Sequence, residues 1–542
     1  MPSIVKFVGD LCCCCCKDPS YALFAAGVKA WRKYEKTGES QYLAEAVRNH
    51  HAALDIRVPD HPRRSESLLH TAMALWAQCQ GAATKESSST VIAYYDEALR
   101  LLPDKRTRRA TVYTNLGTVY FILFLLEKED PEAFPATGSN IGKAIENYRS
   151  ALQLRPKKRD SDRPISLINL GMALVQKDSK EDLMNAIIYL REATELCTTS
   201  SARRLLFFLY FNHLGRPPTS RPLLLLSLNH LAQAYDSHYH HSEDINDVVE
   251  KVDVLRRILD LTDEGKGRLV PLVNLTNALW RHCEIKPGHR NDLDEAVLRG
   301  REALKLSDDS NNNIHVKVLA TLANVLSARY VLISPKNVTD LDQAIQYYRE
   351  AIDPDPEDGP DPILCTSLAS AIYIRCRDFE EVEGATLEDA ISYNQMALHT
   401  CPKDDPIYPR IQNNLGCIYL TQYNKSGAEG DLVRGIRAYE DVVSHCPDDN
   451  DDFADYQKSL KDAKRALQDK REGRTDTLYQ SGLIRSRSWA GSTGSLATNI
   501  SAESRVRSEF CVIADSPRSL TKWKPSFIPL TPLYEPRTQE FI

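Results

Sequence analysis

The sequence predicts an all-α fold, a solenoid of about nine long helix pairs that ends in a C-terminal capping helix. A two-helix phrase recurs nine times between about residues 21 and 447. Within each phrase, apolar side chains follow the three- and four-residue spacing of one helix face. No alternating run of the kind that forms β-strands survives beside this spacing. Because one pair cannot bury its apolar face alone, each pair is expected to stack on its neighbours.

The second helix of each pair is predicted from a small, large, small pattern that ends in proline. In the clearest copies a tyrosine lies between two small or apolar residues, at spacings of four and three, and the proline follows five positions later. These spacings place the side chains on one stripe, and the proline ends the helix. The clearest copies are Val91, Tyr95, Ala98 and Pro103; Ala144, Tyr148, Ala151 and Pro156; Ala344, Tyr348, Ala351 and Pro356; and Gly435, Tyr439, Val442 and Pro447. Weaker copies are Ala46 with Ala53, Ala186 with Ala193, Val248 with Leu255, Ala296 with Ala303, and Ala390 with Ala397 and Pro402.

The first helix of each pair is marked by a small residue with an apolar residue three positions later. The markers are Gly27, Ala72, Gly117, Gly171, Ala232, Thr276, Ala323, Ala369 and Gly416. Glycine inside a helix costs roughly 1 kcal/mol relative to alanine, so its use here indicates close contact with a neighbouring helix. We expect the tyrosine of the second helix to fill the space beside these small residues.

Capping side chains and acidic charge are predicted at several helix starts, where free N–H groups and the helix dipole favour them. Second helices are expected to begin at Asp244, Asp292, Thr339 to Asp340, and Asp431. An acidic run at 448–452 is expected to cap the last helix. The apolar stripe of that helix is formed by Tyr456, Leu460, Ala463 and Leu467.

These offsets resemble the tetratricopeptide repeat (TPR), over about residues 21–470. The usual repeat has about 34 residues, whereas the marker residue here recurs every 46 or 47 positions from Thr276 to Gly416. The extra residues are expected between the paired helices, around Ser334 to Asp340. Such long units resemble the kinesin light-chain type and the TPR arrays of mushroom-forming fungi, which often precede a CHAT peptidase domain. The resemblance implies a right-handed superhelix.

Composition narrows the class of protein. The chain has 542 residues, of which 42% are hydrophobic and 26% charged, and its formal net charge is -6. This charge argues against a basic nucleic-acid binder. Nine of the 14 cysteines stand singly, which suits a reducing compartment. No basic segment leads into an apolar core at the N-terminus, so we expect no secretory signal and a cytoplasmic location.

Three regions are expected. They are a disordered, cysteine-rich leader at 1–20, the helical array at 21–470, and a disordered Ser-, Arg- and Pro-rich tail at 471–542. The array carries an insertion at about 201–221, where about 20 residues are extra between the fourth and fifth pairs. Its apolar run is too short to span a bilayer. It could be an added helix in the groove, a membrane-surface contact or translated non-coding sequence.

Five adjacent cysteines lie in the leader: Cys12, Cys13, Cys14, Cys15 and Cys16. Zinc motifs separate their ligands by two or more residues, so this string does not match one. S-acylation would give peripheral membrane attachment, because several acyl chains anchor more stably than one. The alternative is an untethered leader or a mis-assigned start codon.

Catalytic motifs are missing from the sequence, which has no phosphate-binding loop, no nucleophile elbow and no zinc-peptidase helix. We therefore expect no catalytic residue, no cofactor and no metal. His238, His240 and His241 could hold a metal weakly, but a solvated polar corner is the favoured interpretation. In the tail, Ser488 and Ser508 follow an arginine by three positions, a pattern that basophilic kinases accept, although a featureless tail is the alternative.

A binding role has better candidates. In helix pairs of this type the first helix lines the concave groove, and an asparagine there offers a donor and an acceptor to a peptide backbone. The candidates are Asn115, Asn169, Asn274 and Asn414. Kinesin light chains carry asparagine at the matching place. Bridging between helices and plain solvation are the alternatives.

The sequence thus predicts a non-enzymatic scaffold for a peptide or protein partner. The other candidate functions are a regulatory arm of a CHAT-type cysteine peptidase system and an accessory protein of a fungal pathway.

Overall fold

The computed structural model is all-α across the residues that it describes, which confirms the predicted fold class. It describes residues 18–79, 85–102, 106–129, 139–155, 162–198, 220–286, 289–307, 312–352, 359–446 and 452–474. These residues form nineteen α-helices and one short 3₁₀ helix. They contain no β-strand, and one isolated bridge joins Val382 to Ala385.

The chain divides into two compact units between Glu243 and Asp244. The first unit contains nine helices: α1 (Pro19–Thr37), α2 (Ser40–Ile56), α3 (Arg64–Cys79), α4 (Lys85–Leu101), α5 (Arg106–Glu129), α6 (Asn140–Gln153), α7 (Arg163–Lys177), α8 (Lys180–Thr198) and α9 (Ser220–Ser242). Consecutive helices pack as pairs from α1 with α2 to α7 with α8, and α9 packs on α8. Each second helix also contacts the first helix of the next pair, as the stacking argument requires.

The second unit contains the remaining helices. They are α10 (Ile245–Leu261), α11 (Leu269–Ile285), α12 (Arg290–Leu306), α13 (Asn312–Leu332), α14 (Val338–Ala351), α15 (Pro362–Asp378), α16 (Leu387–Thr400), α17 (Tyr408–Ser426), α18 (Glu429–His445) and α19 (Phe453–Arg471), with the 3₁₀ helix Lys266–Arg268 before α11. Pairs form from α11 with α12 to α17 with α18, and α19 closes the unit against α18. The predicted capping helix is therefore present.

In the pair of α13 and α14 the extra length lies in the first helix, so the expectation of a long loop around Ser334 to Asp340 was wrong. Helix α13 continues to Leu332, and α14 already begins at Val338. The helix start also differs from the prediction, because Asn337 rather than Thr339 caps α14 through its side chain. Asp244 does cap α10, where its Oδ1 accepts a hydrogen bond from the backbone N–H of Asn246 at 3.0 Å.

The small marker residues and the tyrosines pack as predicted. Every marker and every paired small residue named above is buried. A Cβ atom added at Gly117 of α5 would lie 2.7 Å from Cδ1 of Tyr148 in α6, and one at Gly416 of α17 would lie 2.7 Å from Cζ of Tyr439 in α18. The tyrosine ring therefore occupies the space that the missing side chain leaves.

In two pairs the tyrosine hydroxyl is satisfied by the residue that follows the marker. The Tyr148 hydroxyl donates to Thr118 Oγ1 at 3.2 Å, and the Tyr348 hydroxyl donates to Asn324 Oδ1 at 2.6 Å. Buried hydroxyl groups need such partners, since an unpaired one costs about 1–3 kcal/mol. The polar residue beside the marker is therefore part of the repeat.

Replacing Gly117 by alanine is expected to destabilise the protein by about 1–3 kcal/mol, because the new methyl group overlaps the Tyr148 ring. Gly142 is the control, since it lies exposed in α6 with no atom within 4 Å of an added Cβ. Gly142→Ala is expected to stabilise by about 0.4–1 kcal/mol. Urea denaturation measures both, and equal effects would show that the glycine contact is unimportant.

Helix α5 belongs to the core. The segment Arg108–Lys128 is long and apolar enough to cross a membrane, but 56% of it is buried inside the protein. Its residues Val112, Leu116 and Val119 pack in one cluster with Leu68 and Trp76 of α3. The apolar character of α5 is thus explained by helix packing.

A buried arginine joins the first two pairs of the first unit. Arg57 lies directly after α2 and is fully buried. Its Nε donates to Ser20 Oγ of α1 at 3.1 Å, and its Nη1 donates to Ser67 Oγ of α3 at 3.0 Å. The guanidinium also lies 4.8 Å from the centre of the Phe24 ring. Arg57 therefore connects the first helices of two successive pairs.

The same arrangement recurs two repeats later. Arg155 lies two positions after the end of α6, and only 1% of it is exposed. Its Nη1 donates to Thr114 Oγ1 of α5 at 3.2 Å and to Ser166 Oγ of α7. Its own carbonyl accepts a hydrogen bond from Arg163 Nη1 at 2.8 Å. Repetition at equivalent positions indicates that the arginine is a built-in connection between pairs.

Candidate functional site

One of the four predicted groove asparagines, Asn414, bridges two neighbouring pairs, and Asn115 is buried. Asn414 of α17 donates from Nδ2 to Ser370 Oγ of α15 at 2.9 Å. Asn115 of α5 is 2% exposed. Burial raises the pKa of Tyr95 in α4, and the side chain of Asn115 acts to lower it. The Asn414 contact corresponds to the bridging alternative, in which the amide connects neighbouring pairs, whereas Asn115 Oδ1 is buried without a hydrogen-bond partner among the described residues.

The other two asparagines are free of such bridges. Asn169 of α7 is 4% exposed, and its Nδ2 is buried without a hydrogen-bond partner among the described residues. Asn274 of α11 is half-buried, so solvent reaches part of its side chain. Of the four, Asn274 is the residue that a partner could contact most directly.

The histidine run ends α9 instead of following it. His241 Nε2 lies 3.2 Å from Asp178 Oδ1 at the end of α7, and His238 Nδ1 lies 3.4 Å from Ser242 Oγ. These contacts occupy the imidazoles with neighbouring side chains. A polar helix end describes them better than a metal site.

Several predicted features lie outside the described residues. They are the cysteine string Cys12 to Cys16, the phosphorylation candidates Ser488 and Ser508, and nearly all of the insertion at 201–221. These predictions stand as they were made from the sequence.

A small cavity lies along the first helices of three consecutive pairs in the second unit. It has a volume of about 30 Å³, which is enough for a water molecule or the polar end of a side chain. Its lining comes from α11, α13, α14 and α15. The lining residues are Trp280, Glu284, Asn324, Ser327, Ala328, Val331, Tyr348, Ser367, Ser370, Ala371 and Ile374.

Glu284 gives the cavity its chemistry. Both of its carboxyl oxygens are buried without a hydrogen-bond partner among the described residues. Burial raises the pKa of Glu284 to about 8, although Arg281, Trp280 and Arg410 each act to lower it. A carboxyl group in this state is mostly protonated at neutral pH and readily donates or accepts a hydrogen bond.

Arg410 of α17 provides a second unsatisfied group. It is 5% exposed, and its Nη1 and Nη2 have no hydrogen-bond partner in the described part of the chain. Burial lowers the pKa of Arg410 to about 10, although the charges of Tyr348, Tyr456 and Glu284 act to raise it. Glu284 lines the cavity, whereas Arg410 lies outside its lining and interacts with Glu284 through charge.

Sequence reasoning missed this pair. Glu284 follows Trp280 by four positions, so a charged residue falls on the same face as a buried aromatic residue. Arg410 follows Pro409 at the start of α17, where a solvated charge is the ordinary expectation. The helical spacing of Trp280 and Glu284 is the signal that could have identified the acid, but nothing local links it to Arg410, which is 126 positions away.

Comparisons with known proteins identify no family. A scan against protein-family models found no matching family, and a search of curated proteins found no matching relative. Among solved structures, the chain is similar to a tetratricopeptide repeat protein from Parabacteroides merdae, with 12% identity, 54% of this chain and 99% of that chain covered, and a TM-score of 0.25.

Two further solved structures are similar at the same level. The P58(IPK) TPR domain is 14% identical, with 83% of this chain and 99% of that chain covered and a TM-score of 0.20. The structure of Naa15/Naa10 bound to HypK-THB is 13% identical, with 93% and 94% covered and a TM-score of 0.24. At these TM-scores the similarity does not extend to function, which we infer from the contacts of this chain alone.

Proposed function

We propose that the protein is a non-enzymatic scaffold that binds an extended peptide segment of a partner protein along α11, α13 and α15. The observation that carries this proposal is the cavity with its unsatisfied Glu284 carboxyl group, coupled to the unsatisfied Arg410 guanidinium. Helical repeats present broad surfaces suited to such partners.

The hydrogen-bonding groups of Glu284 and Arg410 match those of a peptide backbone. A peptide offers donors and acceptors at fixed spacing, so one segment can donate to Glu284 and accept from Arg410. Trp280 and Tyr348, which are both buried, line the same cavity as Glu284. The partner would thereby supply hydrogen bonds to two buried groups that have none among the described residues.

A peptide library displayed on phage and selected on the immobilised full chain tests this proposal. For selected peptides, Glu284→Gln and Arg410→Met are each expected to weaken binding by about 10–100-fold, the loss that follows from unpaired buried groups. Fluorescence anisotropy with labelled peptide gives the affinities. Glu383→Gln is the matched control, because this glutamate is exposed on the loop after α15.

The outcomes separate this site from the groove predicted from the sequence. Unchanged affinity in both cavity variants would contradict the cavity as the binding site. If the double variant Asn115→Ala with Asn169→Ala then loses binding, the peptide contacts the first unit instead. Cytoplasmic location and acylation of the cysteine string remain further proposals that this experiment does not address.

A further inference from the structure

Three side chains with metal-ligand chemistry meet where α11 ends and α12 begins. His282 lies in the last turn of α11, His289 directly precedes α12, and Asp292 lies in the first turn of α12. His282 Nδ1 is 2.9 Å from Asp292 Oδ2, and His289 Nδ1 is 3.8 Å from the same oxygen. One ligand atom from each residue lies within 4.8 Å of the other two.

The surroundings hold these groups in place. His282 is buried, and the two imidazole rings lie 4.8 Å apart at 44°. Cys283 Sγ donates to the carbonyl oxygen of His289 at 3.4 Å, which fixes the loop that carries the second imidazole. Arg256 Nη2 contacts Asp292 Oδ1 at 3.3 Å and leaves Oδ2 directed at the imidazoles. Supporting contacts of this kind orient the ligands in metal sites.

We propose that His282, His289 and Asp292 bind a divalent transition-metal ion, with Zn²⁺ as the ion that fits best. Two imidazole nitrogens and one carboxylate oxygen are the donor set of open Zn²⁺ sites, in which water takes the fourth position. Tetrahedral bonds of about 2.0 Å place ligand atoms about 3.3 Å apart. The separations of 2.9 and 3.8 Å bracket that value.

The remaining adjustment falls on the most mobile ligand. The His289 side chain is 41% exposed, so its ring can move towards the ion without disturbing the core. Arg256 opposes the ion by its charge, but it is also paired with Glu295 at 2.7 Å, which offsets that effect. Binding would join the two helices of one pair and stiffen the connection between them. This goes beyond peptide binding and needs no partner.

Titration of metal-free, full-length protein with Zn²⁺ tests the proposal by calorimetry. His289→Ala is the first variant, because an exposed ligand can be removed without loss of folding. We expect it to lose one equivalent of bound Zn²⁺, or to weaken that equivalent at least about 100-fold. His399→Ala is the control, since this histidine is exposed in α16. It should bind Zn²⁺ like the wild type.

Visible absorption spectra with Co²⁺ in place of Zn²⁺ distinguish binding at this site from binding at thiolates such as the cysteine string. The difference spectrum of wild type minus His289→Ala should show visible d–d bands without a thiolate-to-cobalt charge-transfer band. Asp292→Asn should remove the same bands in a chain whose far-ultraviolet circular dichroism is unchanged. Equal stoichiometry and affinity for Zn²⁺ in the wild type and His289→Ala would overturn the proposal, as would a thiolate band in the difference spectrum.

Discussion

Replacing Arg155 by alanine is expected to lower the free energy of unfolding by about 3–5 kcal/mol. Its guanidinium is buried and donates to Thr114 of α5 and to Ser166 of α7, so it joins two successive pairs. Alanine would leave a cavity and remove a donor from two buried hydroxyl groups. Urea denaturation of the full chain, followed by circular dichroism, measures the change.

Two further variants control for this result. Leu102 occupies the position after α4 that is equivalent to Arg155, four residues after the last small residue of the helix. Arg155→Leu should therefore be less harmful than Arg155→Ala, because leucine fills the space as it does at that position. Arg48→Ala, at an exposed site in α2, should change stability by no more than about 0.5 kcal/mol. Equal unfolding free energies of Arg155→Ala and the wild type would show that the arginine does not stabilise the contact between successive pairs.

The sequence was sufficient to predict the pairs because their packing is local. Gly117 and Tyr148 lie 31 positions apart, yet each belongs to a pattern that is visible within its own helix. Small residues at helical spacing leave room, and a tyrosine at the same spacing fills it, so one repeat predicts the next. The eight pairs that pack within the two units and the capping helix follow from that periodicity, whereas α9 and α10, predicted as a further pair, belong to different units.

The connections between pairs could not be predicted in this way. Arg57 and Arg155 each follow a helix end, where a charged residue ordinarily faces water. Their partners lie on two other helices, and a hydroxyl such as Ser166 has no local feature that marks it as buried. The coupling of Glu284 with Arg410 has the same origin, since their helices, α11 and α17, belong to the first and last of four stacked pairs. Periodicity gives the elements, whereas such contacts need the three-dimensional arrangement.

The long repeats show a second limit on what the sequence could predict, which concerns the lengths of helices and loops. Residues beyond the usual repeat length were expected in loops, but α13 continues to Leu332 and leaves a short connection to α14. Ser334 and Pro335 correctly mark that connection. The apolar run up to Leu332 is compatible with helix, and a helix satisfies its own backbone hydrogen bonds where a loop would not. Length alone therefore does not distinguish a longer loop from a longer helix.

Glu284→Gln is expected to make the protein more stable than the wild type above pH 8, by on the order of 4 kcal/mol. The pKa of Glu284 is raised by burial from its ordinary value of 4.5 to about 8 in the folded protein. Below pH 4.5 the carboxyl group is protonated in both states, and its contribution to stability is fully present. Between pH 4.5 and about 8 only the unfolded chain ionises, so the wild type loses stability as the pH rises.

The difference in unfolding free energy between Glu284→Gln and the wild type, measured in urea from pH 5 to 9, isolates this effect. Burial lowers the pKa values of His50 and His230 to about 4, so these groups reduce stability as the pH falls below 6.5, which is the opposite trend. Both chains carry these histidines, and their contribution cancels in the difference. Glutamine keeps the shape and the neutral charge of the protonated acid, so the difference should be small at pH 5 and should grow up to pH 8. A difference that stays constant across this range would mean that Glu284 ionises near its ordinary pKa. The carboxyl group would then already have partners in the free chain, and the main reason for placing a peptide at this cavity would be removed.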